Sequence, residues 1–166
     1  PMSKIEALLS QMTLAEKAGQ MTQVTIDMIC YGKPYKLDDP LRINEQRLEE
    51  IVAKKAVGSM LNVGTHAHTK DRWKEIISQV TSTAAQSRLG IPVLYGIDTI
   101  HGANYIQNTH LYPQQLGLAA AANPELIEEL FAMAAEETLE IGIPWLFSPV
   151  ADVGRHPAWP RLLVKI

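Results

Sequence analysis

Cysteine is almost missing from this chain. Cys30 stands alone among 166 residues, which excludes an internal disulfide and any cysteine-based metal set. With apolar neighbours, it reads as a packed side chain rather than a reactive thiol. An excess of charge is missing too: 15 basic residues against 18 acidic ones leave a net charge of −3, with no run of Lys and Arg. Neither nucleic acid nor an anionic membrane surface is therefore expected as a partner, and neutral or mildly polar ligands fit better. Long hydrophobic runs are also lacking. The longest apolar stretch, residues 116–122, falls far short of the ~20 residues a membrane helix needs. No basic-then-apolar leader opens the sequence, although a secreted or periplasmic origin stays compatible with it. There is no internal repeat and no low-complexity tract.

What remains is a chain with 46% hydrophobic residues, enough for one core in a single unit over residues 1–166. Ser3 with Glu6 and Thr13 with Glu16 have capping-box spacing and predict short helices over residues 4–11 and 14–18. A brief strand is expected at 21–25, and an aperiodic stretch at 26–43, holding Gly32, Pro34 and Asp38-Asp39-Pro40, reads as a loop. Asn44 caps a helix with Leu48, Ile51 and Val52 on one face. Residues 58–62 form the next apolar run. Thr69 then starts a longer helix that aligns Trp73, Ile76, Ile77, Val80 and Ala84 until Gly90 stops it. Residues 93–97 read as a buried strand, residues 116–119 as a further strand, and residues 145–150 as the last one. Between these last two, Asn123-Pro124 opens a helix with Leu126, Ile127, Leu130, Phe131, Ala134, Ala135 and Leu139 on one face, ending at Gly142.

Apolar strands separated by amphipathic helices imply an α/β fold with a parallel sheet covered by helices. Four or five strands fit either part of a (β/α)8 barrel, which takes ~250 residues when closed, or a small open sheet. Two of the strands end in polar clusters. Residues 91–102 deliver Asp98 and His101, and residues 143–161 deliver Asp152, Arg155, His156 and Arg161. The C-terminal end of a parallel strand is where a barrel keeps its active site.

The segments at residues 12–21, 91–102, 111–120 and 145–161, in this order and spacing, resemble the N-terminal barrel domain of glycoside hydrolase family 3, the β-glucosidase and exo-glucanase family. The resemblance implies a partial (β/α)8 barrel of TIM type with parallel strands and outer helices. It also implies a β-linked glucoside or oligosaccharide as substrate, hydrolysed at a non-reducing glucose unit, with no cofactor and no metal. By resemblance, Asp98 hydrogen-bonds the hydroxyls of the terminal sugar, a task suited to a carboxylate that accepts from two vicinal hydroxyls. As a plain structural residue, Asp98 would cap the segment after its strand. Arg161 matches an arginine reaching the same sugar. Arg155 matches the first arginine of the family's Arg-x-Pro-x-Trp-x-Arg pattern, which Arg161 ends, or braces its loop through Asp152. His101 is placed in the sugar-binding set and reads foremost as orienting the loop, while Trp159 offers a ring face to a pyranose or packs in the core.

The family chemistry resembles the retaining two-carboxylate mechanism. Its nucleophile lies on a later strand, past a Lys-His pair, and its acid/base usually comes from a following domain, so no catalytic residue is assigned within this chain. After Arg161 the sequence leaves the family pattern with Leu162-Leu-Val-Lys-Ile166, and a truncated or partial barrel, inactive by itself and self-associating through open edges, is the expectation. Two other readings stand beside it. One is a non-catalytic glycan-binding or assembly module. The other is a metal-dependent barrel hydrolase using His66 and His68, with Asp98, His101, Asp152 and His156 as further donors.

Overall fold

A computed structural model describes residues 3–33, 36–62, 66–150 and 156–158. The chain begins with α1 (Lys4–Gln11) and α2 (Leu14–Gln20), each opened by the expected capping box at Ser3–Glu6 and Thr13–Glu16. β1 (Gln23–Thr25) leads into a 3-10 turn at Ile26–Ile29. A small antiparallel hairpin follows, made of β2 (Gly32–Lys33) and β3 (Lys36–Leu37). The stretch expected to be a loop is thus partly ordered, because Ile26, Ile29, Leu37 and Leu41 are buried and tie it to the core. Asn44 caps α3 (Glu45–Leu48) through its side chain, and the helix widens at once into a π-helical turn at Glu49–Lys54. β4 (Ser59–Leu61), α4 (Lys70–Ala85) and β5 (Leu94–Ile97) come next, then α5 (Gln115–Ala120), α6 (Pro124–Glu140) and β6 (Trp145–Leu146).

The strands form one parallel sheet in the order β1-β4-β5-β6. Val24 pairs with Met60 and Met60 with Tyr95, while Leu61 pairs with Gly96 and Gly96 with Trp145. This is α/β architecture with helices in the connections, the arrangement of barrel-type folds. Trp73, Ile76, Ile77, Val80 and Ala84 of α4 are buried as the periodicity predicts, against Met60, Tyr95 and Ile97 of the sheet. Ile141 and Ile143, which lead into β6, join the same core. Cys30 lies there too, fully buried, and burial pushes its thiol up to about 12, so it is packed and unreactive at neutral pH.

The sheet sits tightly on the turn that feeds it. A Cβ on Gly58 would stand 2.1 Å from the Gln20 carbonyl oxygen, and the Gly58 N–H donates to the Gly19 carbonyl at 2.9 Å. Only a residue without a side chain lets these two backbones touch.

One expected strand is corrected. Residues 116–119 belong to helix α5, not to a strand. Leu118 alone of that helix is buried, beside Tyr112 and Ala134 in a small second cluster. The run Leu-Gly-Leu-Ala-Ala is too short to show a period, so its strand-like look carried no information. The expected apolar face of α6 is partly covered: Ala134 and Thr138 are buried, Ile127, Leu130 and Phe131 are half-buried, and Leu126 and Leu139 are exposed. Among the described residues, no helix is long and apolar enough to cross a membrane.

Candidate functional site

β5 positions the first candidate. Along a strand, side chains alternate between the two faces. Tyr95 and Ile97 are buried toward α4, and the Tyr95 ring meets the Trp73 indole edge-on with centroids 6.1 Å apart. Gly96 belongs to the opposite face, and there the Phe147 ring covers it so closely that a Cβ would lie 2.3 Å from the ring. Asp98 follows Gly96 by two residues, half-buried at the C-terminal end of the sheet, while Thr99 beside it is fully buried. The end of β6 closes on this point. Phe147 N–H donates to the Ile97 carbonyl at 3.0 Å, and Thr99 N–H donates to Ser148 Oγ at 3.4 Å. Asn62, at the end of β4, adopts a left-handed backbone with φ of 66°. Tyr95 O–H donates to its carbonyl, and its own Oδ1 is buried and accepts no hydrogen bond from the described residues.

The connection after β5 folds back in tight turns. Asn104 N–H donates to Gly102 at 2.8 Å and Ile106 N–H to Ala103 at 2.9 Å. His101 is exposed, its Nδ1 lies 3.4 Å from the Tyr112 carbonyl, and its own carbonyl accepts from Tyr112 N–H at 3.3 Å. It therefore stands at the base of the turn, where it ties the two ends together. Tyr105 is fixed from the other side: its carbonyl accepts from the Trp73 indole N–H at 2.9 Å and from His68 N–H at 3.1 Å. Burial raises the Tyr105 phenol above its ordinary range, and the nearby Asp98 carboxylate raises it further. Farther along, His110 Nδ1 pairs with Glu137 of α6 at 2.9 Å. Burial, then the Glu137 charge, pushes the Tyr112 phenol up to about 12.

The other candidates separate. Arg155 and Arg161 lie outside the described residues, as do Asp152 and Trp159. His156 is exposed and accepts from Ala158 N–H at 3.2 Å. His66 and His68 do not gather a metal set: among the described residues no three His, Cys, Asp or Glu side chains converge on one point. His68 instead stacks edge-on against Trp73 at 5.5 Å. Sequence reasoning missed Tyr105, Asn62 and Phe147 as neighbours of Asp98. Nothing local marks Tyr105, whereas Asn62 follows an apolar strand directly and so carried the same end-of-strand signal as Asp98.

A parallel sheet with helical crossovers, carrying a carboxylate at a strand's C-terminal end, defines an α/β barrel-type domain of the kind that houses enzyme sites. The glycosyl hydrolase family 3 N-terminal domain matches residues 13–163, and the chain belongs to this family. It is 32% identical over 95% of its length to the lysosomal beta glucosidase of Dictyostelium discoideum, of which it spans 20%. It is 31% identical over 96% of its length to beta-glucosidase C of Emericella nidulans, of which it spans 25%. Among solved structures, the exo-1,3/1,4-beta-glucanase of a Pseudoalteromonas species superposes with a TM-score of 0.69 at 28% identity, over 88% of this chain and 17% of the glucanase. The chain thus spans about a fifth to a quarter of the length of these curated relatives.

Proposed function

We propose that these 166 residues form one unit of a β-glucosidase-type glycoside hydrolase and hold the non-reducing β-linked glucose unit of the substrate. The observation that carries this reading is the place of Asp98: half-buried at the C-terminal end of β5, on the Gly96 face away from the α4 core. An ionised carboxylate there accepts hydrogen bonds from two vicinal hydroxyls, and charge-assisted bonds are about twice as strong as neutral ones. Arg155 and Arg161 are assigned to the same sugar, and His101 to the geometry of the turn that presents Asp98. The sugar is held at the C-terminal end of the sheet so that its anomeric carbon faces the reacting carboxylates of a retaining mechanism, to which no residue of this chain is assigned. No cofactor enters the scheme.

The same reading includes self-association. Leu111, Leu116, Leu126 and Leu139 are exposed on or beside α5 and α6, and β1 and β6 stand at the two edges of the sheet. Exposed apolar surface of this kind favours contact between copies.

Calorimetric titration with glucose or gluconolactone tests the sugar assignment. Asp98→Ala is expected to abolish binding while the melting temperature stays within about 2 °C, since exposed and half-exposed substitutions of this kind cost little stability. Unchanged affinity in that variant would overturn the assignment.

A further inference from the structure

The sheet has one covered face and one open face. Val24, Met60, Tyr95 and Ile97 belong to the core that α4 completes. The opposite face carries Thr25, Leu61, Gly96 and Trp145 in a single row across all four strands. Among the residues of that face Thr25 and Leu94 are exposed, while Leu61, Trp145 and Phe147 are half-buried. Parallel sheets occur almost only with both faces covered. The two edge strands, β1 and β6, have no further strand beside them among the described residues.

Eight parallel strands close a barrel, and the described residues supply four. A two-fold rotation about an axis along the strands sets a second copy's β1 beside β6 and its β6 beside β1. All strands stay parallel, no edge remains, and the open face of each sheet is covered by the other. Both copies then present Asp98 at the same end of the barrel.

The helices at the two edges favour this pairing by their charge. α6, which leads into β6, carries six glutamates and no Lys or Arg. Glu137 pairs with His110, and Glu140 with Lys70 and Lys74. Glu125, Glu128, Glu129 and Glu136 are exposed and make no ion pair with another described residue. At the other edge, α1 and α2 lead into β1 and carry Lys4 and Lys17, exposed and likewise unpaired among the described residues. Their acids are engaged, Glu6 in its capping box and Glu16 with Arg88. α1 buries none of its residues, and Ile5, Leu9 and Leu14 stand exposed on these two helices, as Leu126 does on α6. Contact of α6 with α6 would oppose glutamates to glutamates. Two-fold closure of the sheets instead brings the α6 glutamates of each copy toward the lysines of the other.

We propose that two copies of this chain close one eight-stranded parallel barrel, β6 of each lying beside β1 of the other, and that the sugar site at Asp98 is complete only in that pair. This rests on the self-association proposed above and gives it a stoichiometry, a geometry and a consequence for the site.

The test is sedimentation of the full 166-residue chain and of two charge-reversed variants, Glu129→Lys/Glu136→Lys and Lys4→Glu/Lys17→Glu. The wild-type mass should rise with concentration to that of two copies and stop there. Each variant alone should pair at least about tenfold more weakly, since both of its seams set like charges together, while melting within about 2 °C of wild type. An equimolar mixture should recover the lost affinity, because both seams then join opposite charges. Calorimetry should show glucose binding to the mixture and not to either variant alone. A mixture that pairs no better than its components, or glucose affinity that is equal in single copies and in the pair, overturns the proposal. A mass that climbs past two copies without a plateau overturns the closed pair and leaves self-association standing, whereas a single-copy mass throughout removes both. Failure of the Asp98 assignment looks different: Asp98→Ala then leaves glucose affinity intact, and the sedimentation of the mixture still decides the pairing.

Discussion

Trp73→Phe probes the joint between the core and the candidate site. The indole is fully buried, meets Tyr95 and His68 edge-on, and donates its N–H to the Tyr105 carbonyl at 2.9 Å. Phenylalanine keeps an aromatic ring there but removes the donor and a ring volume on the order of 40 Å³. At ~24 cal/mol per Å³ of residual cavity this costs about 1 kcal/mol. The lost hydrogen bond adds about 1 kcal/mol, and no more, because the Tyr105 carbonyl still accepts from His68 N–H at 3.1 Å. The sum is about 2 kcal/mol. For a chain of this size each kcal/mol moves the midpoint by ~2–4 °C, so scanning calorimetry should show a fall of about 4–8 °C. Glucose affinity should weaken as well, by roughly threefold to tenfold, because Tyr105 loses one of the two bonds that hold it beside Asp98. A midpoint within 1 °C of wild type would refute the packing argument. An unchanged glucose affinity at a lowered midpoint would refute the coupling of Tyr105 to the sugar while leaving the core account intact.

Acid should release the contact between α2 and the end of α4. Glu16 accepts from Arg88 Nε at 2.7 Å and from Thr13 N–H at 2.8 Å, and the Arg88 guanidinium foremost holds its carboxyl down to about 2, from an ordinary value of 4.5. A carboxylate whose folded pKa is depressed stabilises the fold above its unfolded pKa, and the contribution fades as pH falls from about 4.5 toward 2. Midpoints measured between pH 2 and 6 should therefore fall more steeply for wild type than for Glu16→Gln, and parallel curves would show that the pair contributes nothing. Self-association should appear in light scattering as a mass that rises above the monomer with concentration and returns toward it in Leu116→Glu/Leu126→Glu. A monomer mass throughout would remove that proposal.

How much of the fold could be read in advance follows from the range of the forces involved. Caps act within one turn, so Ser3, Thr13, Asn44, Thr69 and Asn123 marked helix starts to the residue. The stripe on α4 repeats over four turns, long enough for periodicity to name all five buried residues. The π-helical turn at Glu49–Lys54 had no such signal: Leu48, Ile51 and Val52 are buried as expected, and their spacing does not distinguish a π-helical turn from an α-helical one. On α6 the pattern read correctly as one apolar face, which is only partly covered, since periodicity reports which face seeks burial and not what lies against it.

The site divides along the same line. Asp98 was legible because it follows directly on a buried strand, whereas Tyr105 comes beside it only through the Trp73 and His68 bonds, from residues some thirty positions upstream. The strand also explains why Asp98 stands where it does. Tyr95 and Ile97 are committed to the core face by Trp73 and the α4 stripe, and Thr99, fully buried, continues that face. Sliding β5 by one residue would exchange the two faces, carry Asp98 into the apolar layer and expose Tyr95 and Ile97. Burying an unpaired carboxylate costs several kcal/mol or neutralises it, and exposing two large side chains forfeits roughly 1.5–3 kcal/mol each. The register that seats the core is therefore the same constraint that presents the carboxylate, so core substitutions at Tyr95 or Ile97 should disturb sugar binding even though neither side chain reaches the Asp98 face.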